Sequence, residues 1–146
     1  TQEIAEELTQ RDRLTLICGH YKGVDQRAID RFVDEELSIG DYILTGGELP
    51  AAVIVDSVVR LLPGVLGDPD SAAGDSFSSG LLDHPHYTQP ADWDEEDVPD
   101  VLTSGHHKNI EDWRLEKRIE RTKKLRPDLY EQWLARQSGR ENNKKT

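Results

Sequence analysis

Residues 38–51 read SIGDYILTGGELPA, and this stretch decides the fold that we expect for the chain. Residues 39–44 are a short strand candidate that Gly40 interrupts, and the Gly46–Gly47 pair predicts a tight bend. Glycines around a strand let an adenine ring or another small amphipathic cofactor approach the backbone closely. The alternative is a turn that needs positive φ. Neither G-x-G-x-x-G nor a phosphate-loop lysine is present, which argues against a Rossmann dinucleotide site and a nucleoside triphosphatase.

Strands and helices are predicted to alternate on both sides of this stretch. Upstream, the apolar and partly β-branched residues 14–18 predict a buried strand. Downstream, Pro50 begins a strongly apolar segment that ends at Pro63, which predicts a buried helix of about three turns. This alternation predicts an open parallel α/β sheet covered on both faces. Ligands of such sheets bind at the loops that follow the strands, here residues 19–23 and 45–50.

Weaker signals accompany these elements. Apolar residues at helical spacing predict a helix over residues 1–10, and Asp25 stands where the N-cap of another helix belongs. The loop at residues 19–23 offers the Tyr21 ring, the Lys22 cation and two glycines. Ring stacking and backbone contacts could hold a ligand there, although the loop taken alone is a weak signal.

The composition is that of a chain with one ordinary core. Of its 146 residues 35% are apolar, and no run approaches the ~18 apolar residues of a membrane span. We therefore expect a soluble, cytoplasmic protein. The single cysteine, Cys18, excludes an internal disulfide framework, and we expect it to be a small buried residue rather than a nucleophile. Because the chain begins at Thr1 and contains no Met, we expect a fragment of a longer product.

Charge divides the chain into an acidic body and a basic tail. The net charge of −11 by itself disfavours a polyanionic partner. However, residues 1–105 hold 6 Lys and Arg against 22 Asp and Glu, whereas residues 106–146 hold 12 against 7. In the tail, basic side chains interleave with Trp113 and Tyr130 on two predicted helices. Such a surface could follow a phosphate backbone, or it could be a solvated helical face.

Residues 67–100 connect the body to the tail and change in character. Gly, Pro, Asp and Ser accumulate, which predicts a linker or mobile loop whose aromatic and histidine content argues against pure disorder. Four histidines stand in or just after this segment: His84, His86, His106 and His107. Their spacing matches no metal motif, so we expect loop hydrogen bonds and no metal site.

Two charged residues are candidates for proton chemistry. Arg60 is the single charge in residues 57–67, and Asp75 stands in the linker. A carboxylate and a guanidinium supplied to one cleft could remove a proton and stabilise the resulting anion. The alternative is an ordinary surface ion pair, which contributes little to stability.

Five stretches taken together resemble a known family. They are, in order, CGHYKGVDQR at 18–27, SIGDYILTGGELPA at 38–51, DSVVRLLPGVLG at 56–67, DSFSSGLLDHPHYTQP at 75–90 and VLTSGHHKNIEDWR at 101–114. Over roughly residues 1–134 the chain resembles the bacterial tRNA (guanine-N1)-methyltransferases of the TrmD family. The resemblance implies a SPOUT-type α/β fold, with a parallel sheet and a deep trefoil knot, plus a small C-terminal α-helical domain. It also implies a homodimer with the active site at the subunit interface, and methyl transfer from S-adenosylmethionine to N1 of guanosine 37, next to the tRNA anticodon.

The resemblance further implies roles for individual residues. Asp75 resembles the general base, which takes the N1 proton of guanine from across the dimer interface. Arg60 resembles the residue that stabilises charge developing on the base oxygen, and neighbouring positive charge or a magnesium ion lowers the cost of that deprotonation. The residues implied to surround the methyl donor are Gly19, Tyr21, Ser38, Ile39, Gly40, Tyr42, Leu44, Gly46, Gly47 and Pro50.

Three regions follow from the same resemblance. Residues 1–74 correspond to the C-terminal part of the SPOUT domain, residues 75–100 to an interdomain linker that orders over tRNA, and residues 101–146 to a basic domain that binds the anticodon arm.

The chain departs from the family in two ways. Lys22 stands where the family often has Glu, which removes any contact of that carboxylate to the donor or to an ion. The family's N-terminal half is absent, so we expect an incomplete knot and cleft. A non-catalytic RNA-binding or dimerisation fragment is the competing hypothesis.

Overall fold

The chain divides into two units, Thr1–Pro69 and Asp70–Thr146, in the computed structural model of the protein. The structure describes residues 1–67, 74–94 and 96–143. Within these ranges the first unit holds three helices, and the second holds three helices and a two-stranded sheet. None of the described helices is both long and apolar enough to cross a membrane.

Three helices of the first unit confirm the sequence prediction, with shifted boundaries. They are α1 (Gln2–Leu8), α2 (Gln26–Phe32) and α3 (Glu48–Val59). Asp25 caps α2 as predicted, because its carboxylate accepts a hydrogen bond from the Arg27 N–H at 2.9 Å. Helix α3 begins two residues before Pro50. The proline still lies in the first turn, where its missing N–H has no helical acceptor to lose.

The small core of the first unit lies where α1 packs against α3. Ala5 and Val58 are buried at this contact. The prediction that α3 is a buried helix is wrong for this chain, because Val58 is its single buried residue. An apolar groove of about 250 Å³ runs between α3 and the segment containing Leu14 and Leu16. The apolar face of α3 is therefore exposed to solvent in the part of the chain that the structure describes.

The expected strands differ most from the structure. Residues 14–18 and 39–44 are neither helical nor paired as strands. Within the described ranges, the sheet is a short antiparallel pair of β1 (Asp92–Trp93) and β2 (Glu96–Asp97), and no parallel sheet is present there. A strand needs a neighbouring backbone to donate and accept its hydrogen bonds, and an apolar run does not supply that neighbour by itself.

The second unit is built on two long helices, as predicted. Its helices are α4 (Asp100–Thr103), α5 (His107–Leu125) and α6 (Pro127–Asn143), and α5 packs against both of the others. Pro127 begins α6 and separates it from α5, since proline suits the first position of a helix but not its interior. The polar composition from Gln137 onward predicts a frayed end of the chain, but α6 continues to Asn143. Residues 144–146 of that end lie outside the described residues.

A folded loop leads into these helices, where the sequence suggested a mobile linker. Leu81 is 1% exposed and Thr122, on α5, is fully buried. The Leu82 N–H donates to the Thr122 hydroxyl oxygen at 2.8 Å, and the Phe77 N–H donates to the Leu81 carbonyl at 2.8 Å. The hydrogen bond to Thr122 attaches the first part of the predicted linker to α5, and the bond between Phe77 and Leu81 folds the loop on itself.

Candidate functional site

One open cleft in the first unit collects the glycine-rich loops. Its volume is about 590 Å³, which is within the range of small-molecule sites. All of the residues predicted to surround a methyl donor line this cleft: Gly19, Tyr21, Ser38, Ile39, Gly40, Tyr42, Leu44, Gly46, Gly47 and Pro50. The structure therefore brings together residues that lie up to thirty-one positions apart in the sequence. Their role as a binding site remains a prediction.

Backbone contacts between two loops form the base of this cleft. An isolated antiparallel bridge joins His20 to Gly46, and the Gly47 N–H donates to the Gly19 carbonyl at 3.0 Å. A Cβ added at Gly47 would lie 2.7 Å from the Cα of Cys18. Glycine is required there because the two backbones approach too closely for any side chain.

The second glycine-rich turn is stabilised by its own polar groups. The Gly40 N–H donates to the Ser38 hydroxyl oxygen at 3.2 Å, and the Tyr42 N–H donates to the Gly40 carbonyl at 3.0 Å. Gly40 has a φ of +156°, and a Cβ at this position would collide with the Tyr42 ring. The expected turn with positive φ is therefore present, and it also lines the cleft.

Two tyrosines flank the cleft with exposed rings. Tyr42 is 61% exposed and Tyr21 is fully exposed. Tyr21 also has a φ of +58°, a left-handed conformation that is uncommon for a residue with a bulky side chain. Exposed aromatic rings beside backbone N–H and C=O groups can stack on a flat heterocycle and read its polar edge. The arrangement suits a nucleoside-like ligand.

A side-chain contact joins the two loops at the edge of the cleft. The His20 imidazole Nε2 is hydrogen-bonded to the Glu48 carboxylate, at the first residue of α3. The backbone N–H of Glu48 and the His20 ring together hold the pKa of the Glu48 carboxyl below its ordinary value. Sequence analysis did not select this pair, because the two residues are 28 positions apart and belong to two different motifs.

The two candidates for proton chemistry belong to different units. Arg60 follows the last residue of α3, and its N–H donates to the Asp56 carbonyl at 3.2 Å. Asp75 precedes the folded loop of the second unit, where the Asp83 N–H donates to the Ser76 hydroxyl oxygen at 2.9 Å. Both Arg60 and Asp75 are half-buried. Their catalytic roles remain predictions.

The basic tail forms a helical surface whose charges are partly paired. Ion pairs within or next to the long helices join Arg114 to Glu111, Lys117 to Glu120 and Arg126 to Asp128. Hydrogen bonding to Glu120 raises the pKa of Lys117. Aromatic residues lie beside them: the Tyr130 and Trp133 rings stack at 6.2 Å, and the Lys123 ammonium lies 5.8 Å from the centre of the Tyr130 ring. The surface thus offers exposed cations and aromatic rings together.

Loop hydrogen bonds are made by two of the four histidines, as predicted. His86 Nε2 lies 2.8 Å from the Asp83 carboxylate, and His84 Nδ1 lies 3.0 Å from the Pro85 carbonyl oxygen. Burial alone would raise the pKa of the Asp83 carboxyl. Hydrogen bonds from His86 and from the His84 backbone outweigh burial and hold that pKa below its ordinary value. Sequence analysis did not include Asp83 in this cluster.

Comparison with known proteins points to one family. The model of the family described as tRNA (Guanine-1)-methyltransferase TrmD matches residues 1–132. A curated tRNA (guanine-N(1)-)-methyltransferase of Lachnospira eligens is 56% identical over 138 residues, covering 94% of this chain and 58% of the relative. The proteins of the same description from Brevibacillus brevis and from Bacillus cereus strain AH820 are 60% and 58% identical, covering 89% and 90% of this chain and 54% of each relative. The chain thus spans somewhat more than half the length of these relatives.

Proposed function

The chain belongs to the TrmD family of tRNA (guanine-N1)-methyltransferases, and from this premise we propose that its whole protein methylates N1 of guanosine 37 in tRNA. The methyl donor in this proposal is S-adenosylmethionine. The observation that carries the proposal is the cleft of the first unit, because every residue assigned to the donor site by the family resemblance lines it. The enzyme would thereby modify tRNA next to the anticodon.

The cleft offers the groups that this donor needs. Its volume of about 590 Å³ accommodates a nucleoside with an amino-acid arm, and its loops present backbone N–H and C=O groups beside the Tyr21 and Tyr42 rings. When bound, the donor supplies an electrophilic methyl group on a sulfonium. Among the described lining residues, Glu36 contributes a carboxylate. We include a magnesium ion in the proposal. Mg²⁺ is ordinarily bound by one or two carboxylates and by water molecules, and the Glu36 carboxylate would be its protein ligand here.

Asp75 and Arg60 have complementary roles in the proposed reaction. The Asp75 carboxylate accepts the proton from guanine N1, and the freed electron pair on N1 then forms the new N–CH₃ bond as the S–CH₃ bond breaks. The Arg60 guanidinium stabilises the negative charge that spreads onto the base oxygen. Proton removal is needed because the N1 electron pair of neutral guanine is a poor nucleophile.

The proposal extends to the architecture of the whole protein. We assign residues 1–74 to the C-terminal part of a SPOUT domain whose parallel sheet and trefoil knot would be completed in the whole protein, residues 75–100 to an interdomain linker, and residues 101–146 to binding of the anticodon arm. The exposed apolar face of α3 supports a larger domain, because such a face ordinarily packs against other elements. A homodimer with its active site at the subunit interface belongs to the same proposal. We place the enzyme in the cytoplasm, where its tRNA substrate is made.

The testing experiment measures 1-methylguanosine on tRNA transcripts that carry guanosine or adenosine at position 37. The whole protein and this 146-residue chain are assayed side by side. We expect product from the whole protein with the guanosine transcript alone. Product from neither transcript would contradict the proposal.

A second candidate function is a non-catalytic RNA-binding or dimerisation module. The coverage of little more than half of the relatives favours this function for the chain taken by itself. Salt-dependent tRNA binding without binding of S-adenosylhomocysteine would support the module. Stoichiometric S-adenosylhomocysteine binding by the chain would instead show that its cleft is sufficient for the donor.

A further inference from the structure

We propose that Asp83, His84 and His86 form a binding site for a divalent transition-metal ion, with Zn²⁺ as the principal candidate. Among the described residues these three side chains each offer a ligand atom, and the three atoms lie within 4.8 Å of one another. The proposed methyl transfer uses none of them. The site lies wholly in the second unit, on the loop that packs against α5.

The hydrogen bond of His84 leaves the correct nitrogen available for a metal. A carbonyl oxygen can only accept, so His84 Nδ1 must donate its proton to the Pro85 carbonyl at 3.0 Å. In a neutral imidazole the other nitrogen, Nε2, then carries a lone pair, and it lies 3.8 Å from Asp83 Oδ1. Metal-binding histidines commonly donate their second ring N–H to a carbonyl in this way, which sets the tautomer and the ring orientation.

His86 and Asp83 are close enough to bind one ion with a small movement. His86 Nε2 lies 2.8 Å from Asp83 Oδ2. Two ligands of a tetrahedral Zn²⁺ are separated by about 3.3 Å, so the ion replaces the bridging proton and moves the two atoms apart by about half an ångström. The His86 side chain is 67% exposed and can make this movement.

The other two ligands are held in place by their surroundings. The side chains of Asp83 and His84 are 21% and 15% exposed. The Asp83 N–H is hydrogen-bonded to Ser76, and the His84 ring packs edge-on against Trp113 of α5 at 6.4 Å. Ligands that are ordered before binding lose less conformational entropy on binding.

The chemistry of these ligands selects the class of ion. Two imidazoles and one carboxylate suit Zn²⁺ and neighbouring first-row metals, whereas Mg²⁺ and Ca²⁺ require oxygen ligands. Three protein ligands leave one position of a tetrahedral ion for water or for an external ligand. The site is therefore distinct in its donor set from any magnesium site of the methyl-transfer cleft.

The test is a calorimetric titration of the tag-free 146-residue chain with Zn²⁺ in buffer without chelators. We expect one Zn²⁺ bound per chain, no competition of Mg²⁺ with Zn²⁺ for this site, and a visible absorption band when Co²⁺ replaces Zn²⁺. His86→Ala removes an exposed ligand without disturbing the core. We expect it to weaken Zn²⁺ binding at least about tenfold, because loss of a residue that only hydrogen-bonds to a metal ligand already has an effect of that size. His84→Gln should weaken binding to a similar extent.

The matched control is His107→Ala, which removes an exposed histidine at the start of α5. We expect this variant to bind Zn²⁺ as the unaltered chain does. Far-ultraviolet circular dichroism of each variant confirms that its helices are retained. The proposal is overturned if the chain binds no Zn²⁺ stoichiometrically, or if His86→Ala binds it as tightly as the unaltered chain.

Discussion

His20 and Glu48 show how single residues connect loops that are distant in the sequence. Their hydrogen bond lies beside the backbone contact between Gly19 and Gly47, so side-chain and backbone groups together define one edge of the cleft. The lowered pKa of Glu48 means that its carboxylate stays ionised to a lower pH than that of an ordinary glutamate.

Removing the Glu48 carboxylate should loosen the cleft. We expect Glu48→Gln in the whole protein to weaken S-adenosylhomocysteine binding about two- to fivefold at pH 7, a small effect because the pair is exposed to solvent. Because the pKa of the Glu48 carboxyl is lowered in the folded protein, its hydrogen bond to His20 holds the two loops of the cleft together at neutral pH, and this contribution is lost as the pH falls through the folded-state pKa. The difference between Glu48→Gln and the unaltered protein should therefore vanish in acid. Calorimetry at several pH values measures the affinity of both proteins for S-adenosylhomocysteine. Glu35→Gln, at an exposed residue, is the control. A difference in affinity that persists in acid would contradict the prediction.

Adding one methyl group at Gly47 should destabilise the first unit. A Cβ there would lie 2.7 Å from the Cα of Cys18, and backbone atoms cannot yield as a flexible side chain can. We expect Gly47→Ala to lower the free energy of unfolding by about 1–3 kcal/mol, the usual cost of overpacking. Urea denaturation measures this change. Gly67→Ala is the control, because a Cβ at Gly67 has no neighbour within 4 Å among the described residues; equal effects of both variants would refute the steric account.

The proposed general base should affect turnover rather than donor binding. We expect Asp75→Asn in the whole protein to lower kcat about 10²- to 10⁴-fold, the usual contribution of a positioned base, while S-adenosylhomocysteine affinity stays nearly unchanged. Arg60→Ala should also lower kcat, and a rise in KM alone would make Arg60 a binding residue. Asp92→Asn, on the exposed strand β1, is the matched control. Unchanged turnover in Asp75→Asn would remove Asp75 from the proposed role.

At the scale of elements, α5 is the support on which the loop of the second unit folds. Arg118 and Thr122 lie one turn apart on this helix, and both reach the same loop. The Arg118 guanidinium donates to the Ser79 hydroxyl oxygen at 2.8 Å, and the Thr122 hydroxyl accepts from the Leu82 N–H at 2.8 Å. The helix therefore supplies polar partners for loop backbone that would otherwise be buried without them.

The buried hydroxyl of Thr122 gives the clearest stability prediction at this scale. Thr122→Val keeps the shape of the side chain but leaves the Leu82 N–H without its acceptor in a buried place. We expect a loss of about 1–3 kcal/mol in the free energy of unfolding, because an unsatisfied buried donor retains its full desolvation cost. Urea denaturation measures this loss. Thr103→Val is the control, since the Thr103 hydroxyl is exposed; a Thr122→Val variant as stable as its parent would contradict the argument.

At the scale of the whole molecule, the separation of charge along the chain is the property that governs binding of a polyanion. The basic residues lie mostly after residue 105, and Arg121 and Lys124 are exposed on α5. Contacts between lysine or arginine and phosphate release counterions, so binding weakens as salt is added. The acidic body would repel the same polyanion, so the RNA of the proposed function would contact the helical surface.

Salt dependence tests this separation directly. We expect Lys124→Gln in the whole protein to weaken tRNA binding and to reduce the slope of log K against log[salt] by roughly 0.7–0.9, the value for one lost phosphate contact. Arg13→Gln, an exposed residue of the acidic body, is the control and should leave the slope unchanged. Fluorescence anisotropy at several salt concentrations gives both slopes. Equal reductions in the two variants would show that the basic tail is not the RNA surface.

Helix positions and caps could be predicted from the sequence because their causes are local. The N-cap at Asp25 and the break between α5 and α6 at Pro127 each depend on residues within one turn of the chain. The two strands expected at residues 14–18 and 39–44 depend on a partner backbone elsewhere, and their apolar pattern could not show whether one was present. The same limit applies to α3, whose apolar residues indicated burial but not what would cover them.

The sequence by itself determined the family, the glycines and tyrosines of the cleft, and the division into an acidic body and a basic tail, since motifs and charges are properties of the chain alone. Only the tertiary structure decided that the ten residues predicted to surround the methyl donor line one cleft. It likewise decided that His20 meets Glu48 and that Asp83 meets His84 and His86 in one cluster. These contacts depend on the path that the backbone follows between the contacting residues. That path is determined by hydrogen bonds and packing over the whole unit, and not by the residue type at any one position.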